Sequence, residues 1–170
     1  MATKIVVSDT TAITHLAKIG ALNILHQLYP TIYIPEVVYS ELTSHGSHIS
    51  GAYEVKSFPW IKILQVENLT EVKLLNETLD LGESEAIALA KEIKADVLII
   101  DEKSGREQAE SMGIKIVGVI GILLLAKRKN IVISIKPYLD HLRCSGFRIG
   151  PQFYDRALEL ANEKAVNKRA

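Results

Sequence analysis

Short apolar, β-branched runs alternate along the chain with longer stretches whose apolar residues recur at helical spacing. That alternation predicts an α/β domain built on a parallel sheet. KIVVS (4–8) reads as the first strand, followed by a helix over 10–19 with Ile13, Leu16 and Ala17 on one face and a short helix near 21–28. TIYIP (31–35) reads as an edge or transition strand, and Pro35 suits the first turn of a helix over 36–44. A loop is expected at 45–51 and a short peripheral strand at IKILQV (61–66). A helix over 69–79 ends at the break DLG (80–82), and a strong helix over 83–94 directs Ile87, Leu89 and Ala90 inward. DVLII (96–100) is a continuous apolar run, as expected of a central strand buried on both faces. A helix over 104–112 with Gly113 as its C-cap, a strand at 114–118 and helices over 119–129, 134–143 and 151–166 complete the pattern.

Composition narrows this picture. A chain of 170 residues is the size of one domain, so residues 1–150 and the helix and basic tail at 151–170 are taken as parts of one unit. At 48% hydrophobic it has the apolar content for a packed core. One cysteine, Cys144, excludes an internal disulfide and a cysteine-rich zinc site, and points to a reducing compartment. The longest apolar stretch, IVGVIGILLLA (116–126), is far short of the roughly 20 residues of a membrane span. No targeting segment is visible, so a cytoplasmic protein without membrane contact is expected.

The formal net charge is zero, with 20 basic and 20 acidic side chains, which argues against a nucleic-acid binder that works by bulk positive charge. The balance is uneven. Residues 1–100 hold 12 acids against 7 bases, a net of −5, and residues 101–170 hold 8 against 13, a net of +5.

Four acids stand out against this background. Asp9 directly follows the first strand and Asp101 directly follows DVLII, so both fall on the carboxyl rim of a parallel sheet, where ligands bind in such folds. Glu83 lies at a helix start and Glu41 in the helix after the second strand, so four segments can converge on one pocket. Clustered carboxylates repel one another unless a cation is present. Oxygen ligation without His or Cys suits Mg²⁺ or Mn²⁺, and such a site fits phosphodiester hydrolysis. Three of the four also have a plainer role: Asp9 as an N-cap, Glu83 as a charge favoured by the helix dipole, Glu41 as a solvated side chain. Glu85 and Glu102 are alternates for the same task.

The other polar residues carry less. His45 and His48 form an H-x-x-H spacing without a third ligand, which argues against zinc. His15 is placed near the helix after Asp9, partly buried. Arg106, about one turn after Asp101, is the better candidate for a phosphate contact than Lys127-Arg128-Lys129, whose charges complement a helix C-terminus. Lys164, Lys168 and Arg169 form a basic tail. Trp60 reads as a core or interface anchor; with aromatics at 6%, base stacking has little support.

At these residues the sequence resembles the PIN-domain nucleases, most closely the DUF3368 group of predicted nucleic-acid-binding PIN proteins, relatives of the VapC-type toxin ribonucleases. VVSDTTAITHL (6–16), IPEVVYSEL (34–42), LDLGESEAIALAKE (79–92) and the stretch from Val97 to Asn130 carry the resemblance. The family's acids match Asp9, Glu41, Glu83 (with Glu85 as alternative) and Asp101, while Ser8 and Thr10 resemble its supporting hydroxyls. Glu stands where toxin-type members usually have Asp as the third acid, and Ile100 where Ser or Thr precedes the fourth.

The resemblance implies a three-layer α/β/α sandwich, Mg²⁺- or Mn²⁺-dependent ribonuclease activity, a homodimer and, for toxin-type members, an antitoxin that blocks the site. Position and resemblance together lead to the expectation of a metal-dependent endoribonuclease. Asp9 and Asp101 bind the cation, Glu83 completes its ligation, Glu41 acts through water and Arg106 meets the substrate. The alternative is a catalytically weak PIN module that binds nucleic acid or a partner. A receiver-like signalling domain ranks last, because it expects a paired acid at the first strand and a Lys after the last.

Overall fold

The computed structural model describes residues 2–44 and 48–163. His45 and the basic tail of Lys164, Lys168 and Arg169 lie outside the described residues. Five parallel strands form one sheet: β1 (Val6–Ser8), β2 (Ile32–Pro35), β3 (Ile61–Leu64), β4 (Val97–Ile99) and β5 (Ile116–Val117), in the order β3-β2-β1-β4-β5. The register pairs Val6 with Val97, Val7 with Leu98 and Ser8 with Ile99. The two strands that Asp9 and Asp101 follow are therefore neighbours at the centre of the sheet.

Successive side chains of a strand point to opposite faces, and the two cores follow from that alternation. Val6 and Ile99 belong to one apolar cluster, while Val7, Leu98 and Ile100 belong to the other. The first cluster takes in residues of α1 (Thr10–Lys18), α2 (Leu22–Leu28), α3 (Glu36–Thr43), α4 (Ala52–Ser57), α8 (Val119–Arg128), α9 (Lys136–Cys144) and α10 (Pro151–Leu160). The second takes in α5 (Leu69–Leu75), α6 (Leu81–Glu92) and α7 (Lys103–Ser111). The result is the expected three-layer α/β/α sandwich.

Several local expectations change. β2 is not an edge strand: it pairs with β1 on one side and, over four residues, with β3 on the other. β3 takes the edge, as IKILQV predicted, but stops at Leu64. β5 shrinks to Ile116–Val117 from the expected 114–118. Helix α4 arises inside a stretch without a helical prediction; only Ala52 and Val55 of its six residues are buried, too weak a stripe to see in sequence. The helix expected over 69–79 ends at Leu75, and α10 ends at Leu160. DLG (80–82) is not a break. Asp80 caps α6, accepting a hydrogen bond from the Glu83 backbone N–H (2.8 Å), and the helix begins at Leu81. Gly113, just past α7, has the positive φ (75°) expected of a helix-ending glycine. No helix among the described residues is long and apolar enough to cross a membrane.

Candidate active site

Asp9 splits its two carboxylate oxygens between two environments. Oδ1 accepts the Ala12 backbone N–H (2.9 Å) and so caps α1, the plain role foreseen for it. Oδ2 is buried and has no hydrogen-bond partner. A cap needs one oxygen; a buried second oxygen without a donor costs free energy unless something else meets it. Burial pushes the Asp9 carboxyl well above the ordinary aspartate range, the Ala12 N–H draws it down, and the carboxylates of Asp101, Glu83 and Asp80 push it up again.

Asp101 stands two residues beyond β4 and reaches the start of α8. The Val119 backbone N–H donates to both of its oxygens (3.1 and 3.2 Å). Burial raises its pKa, while the Val119 N–H and the Arg106 guanidinium lower it. Gly118 makes the approach possible: a Cβ there would lie 2.5 Å from Asp101 Oδ1 and 2.8 Å from Arg106 Nη1. Arg106 donates to the Ile100 carbonyl (3.4 Å), one of its five donors.

Glu83 is 7% exposed in the first turn of α6, with its carboxyl carbon 3.5 Å from where a Gly105 Cβ would stand. Burial raises its pKa first, then Asp80; the Asp80 backbone N–H lowers it, and Glu102 and Glu41 raise it further. Glu41 is not a solvated side chain. It accepts a hydrogen bond from Thr10 Oγ1, and its carboxylate lies over Gly82, where a Cβ would meet its two oxygens at 2.6 and 3.0 Å. Thr10 thus supports Glu41 rather than Asp9, and Ser8 Oγ donates to the Asp9 backbone carbonyl (3.1 Å).

The structure therefore brings Asp9, Asp101, Glu83 and Glu41 to one rim, with Arg106 beside Asp101. Glu85 turns toward α3, where burial raises its pKa, the Val37 N–H draws it down, and Glu36 and Glu41 push it up again. Glu102 is exposed at the head of α7. Asp80 is the acid that sequence reasoning passed over. Its signal was present as the capping-box spacing Asp-x-x-Glu before an apolar run.

Lys127-Arg128-Lys129 lies at the other end of α8, about 15 Å from its Asp101-bound start. Lys127 donates to the Ile133 carbonyl and pairs with Glu163 (3.4 Å). These bases do not form a rim around the acids.

Among the described residues no three His, Cys, Asp or Glu side chains are drawn together as a ready-made metal-ligand group. The all-oxygen donor set and the orphan Oδ2 of Asp9 fit a hard divalent cation that keeps several waters, and do not fit a closed protein cage.

These features define an α/β domain with buried carboxylates on the carboxyl rim of a parallel sheet. The chain belongs to the PIN-domain family: the DUF3368 model, described as a PIN domain, matches residues 5–163. The fold is accordingly of nuclease type, and PIN nucleases typically use divalent metal ions. A comparison with curated proteins gives no match.

Proposed function

We propose that the protein is a Mg²⁺- or Mn²⁺-dependent endoribonuclease. The observation that carries this reading is the buried Asp9 Oδ2 without a donor, within the field of Asp101 and Glu83. Asp9 and Asp101 hold the cation directly, and Glu83 adds a third carboxylate from α6. When bound, the cation lowers the pKa of a water and neutralises the leaving oxygen. Glu41, fixed by Thr10, orients the attacking water and receives its proton. The guanidinium donors of Arg106 not used on Ile100 meet a substrate phosphate oxygen.

Asp9→Asn keeps an oxygen for the Ala12 N–H and removes the charge. Mn²⁺-dependent cleavage of a structured RNA is expected to fall at least 100-fold, with the far-ultraviolet circular dichroism unchanged. Undiminished cleavage by this variant removes Asp9 from the site.

A second reading, a PIN module that binds RNA or a protein without cleaving it, draws on the absence of a preassembled ligand trio among the described residues. Wild-type protein that retains RNA on a filter yet leaves it intact in Mn²⁺ selects this reading. An antitoxin partner and a homodimer rest on the family resemblance, and a cytoplasmic setting on the single cysteine, which points to a reducing compartment. A short overlapping upstream gene and the mass of the purified protein in solution test the first two.

A further inference from the structure

A pocket of about 530 Å³ opens on the rim opposite the acids. Asp9 caps the start of α1, whereas Ala17, in the last turn of that helix, lines the pocket. Trp60, on another wall, immediately precedes the amino end of β3. The nine residues of α1 set the two places about 14 Å apart.

The wall is a stack of rings. His26 lies against Trp60 with centroids 4.6 Å apart and planes 18° from parallel, and Trp60 lies against Phe58 at 5.8 Å and 27°. Glu54, half-buried, is the one acidic residue of the lining, which holds neither Lys nor Arg. Among the described residues Glu54 has no ion-pair partner. An aromatic, largely apolar cavity with one unpaired carboxylate selects against phosphate-bearing ligands and for a cation. A guanidinium meets both features at once, because it is planar, weakly hydrated, stacks on aromatic faces and binds carboxylates in a two-pronged fashion. An ammonium is more strongly hydrated and satisfies only the charge.

We propose that this pocket takes the guanidinium group of an arginine ligand, with the aromatic stack packing the planar group and Glu54 accepting its hydrogen bonds. The site is independent of the carboxylate rim and of the nuclease reading.

Trp60 is the chain's single tryptophan, so the emission of the full protein reports on this pocket. The probe is N-acetyl-arginine-methylamide. Its controls are the citrulline analogue, which keeps the shape and lacks the charge, the lysine analogue, and adenosine monophosphate. Titration with the arginine probe is expected to change Trp60 emission saturably, with half-saturation on the order of millimolar for so small a ligand. The lysine analogue binds several-fold more weakly, and the citrulline analogue and the nucleotide give no saturable response. Glu54→Gln weakens the arginine response at least tenfold, and Asp9→Asn leaves it unchanged. Equal binding of the citrulline analogue, an undiminished response in Glu54→Gln, saturation by the nucleotide instead, or no saturable response to the arginine probe overturns the proposal. Should Glu54→Gln fail to give the unliganded emission of the native fold, the arginine–citrulline comparison on the wild-type chain decides alone.

Discussion

Glu41 and Gly82 show how much of the site depends on a missing atom. The Glu41 carboxylate rests where a Cβ at position 82 would stand, 2.6 Å from its nearer oxygen. Gly82 lies inside a helix, where alanine has the better propensity by up to about 1 kcal/mol. The displaced group is the end of a flexible side chain, so Gly82→Ala is expected to change unfolding free energy by no more than about 1 kcal/mol. The same Cβ drives Glu41 away from Thr10, and RNA cleavage is expected to drop at least tenfold. Urea denaturation and a cleavage assay on one preparation separate the two effects. Loss of stability with activity retained removes Glu41 from the site. Asp9 and Asp101 were readable as rim residues because each directly follows an apolar run. Glu41 was readable as a helical acid but not as the partner of Gly82 and Thr10. That contact depends on the packing of α3 against α6 and α1, which residue spacing does not encode.

Helix α6 explains the other gap between sequence and structure. Gly82 to Ala90 are buried apart from Glu85, so the helix is enclosed between α3, α5, α7 and the sheet. The helix is buried nearly all round although Glu83, Ser84 and Glu85 stand in its first turns, so no change from polar to apolar marks its start, and DLG reads as punctuation. The start is marked instead by Asp80, whose carboxylate holds the Glu83 N–H and with it the first turn that carries the Glu83 side chain. Loss of such a cap costs about 1 kcal/mol, or roughly 2–4 °C for a chain of this length. Asp80→Ala is therefore expected to lower the melting temperature by that amount and to weaken cleavage through a loosened Glu83. Asp80→Asn keeps the cap and removes a charge that repels Asp9 and Glu83. It is expected to melt at or above the wild-type temperature. Equal losses in the two variants mean that the charge, not the cap, is what Asp80 contributes. The strands, by contrast, were legible in type and order of appearance. Their lateral order was not, since β2 pairs on both sides through contacts remote in sequence.

At the scale of the molecule, the buried acids make stability depend on pH and on metal together. Asp9, Glu83 and Asp101 each have a carboxyl pKa raised first by burial. A raised folded-state pKa means that the native state holds more protons than the unfolded chain above about pH 3.9 for Asp and 4.3 for Glu. Stability from these groups is therefore present at acid pH and is lost as pH climbs from those values through the folded-state pKa. His15 works in the opposite sense. Burial lowers its pKa, so its contribution grows as pH rises toward about 6.5 and is complete above that. The difference between wild type and Asp9→Asn isolates the carboxylate effect from that of His15. In EDTA, Asp9→Asn is expected to melt a few degrees higher than wild type at pH 8, roughly 2–6 °C, and to lose that advantage toward pH 4. Saturating Mn²⁺ acts on the wild type at pH 8, because a ligand at 100 times its dissociation constant stabilises by about 2.7 kcal/mol. That corresponds to roughly 5–11 °C here. The shift shrinks at pH 5, where protons compete for the same oxygens, and is absent in Asp9→Asn. A Mn²⁺ shift of equal size at pH 5 and pH 8, or an equal shift in Asp9→Asn, places the ion elsewhere on the surface and leaves the orphan oxygen of Asp9 unexplained.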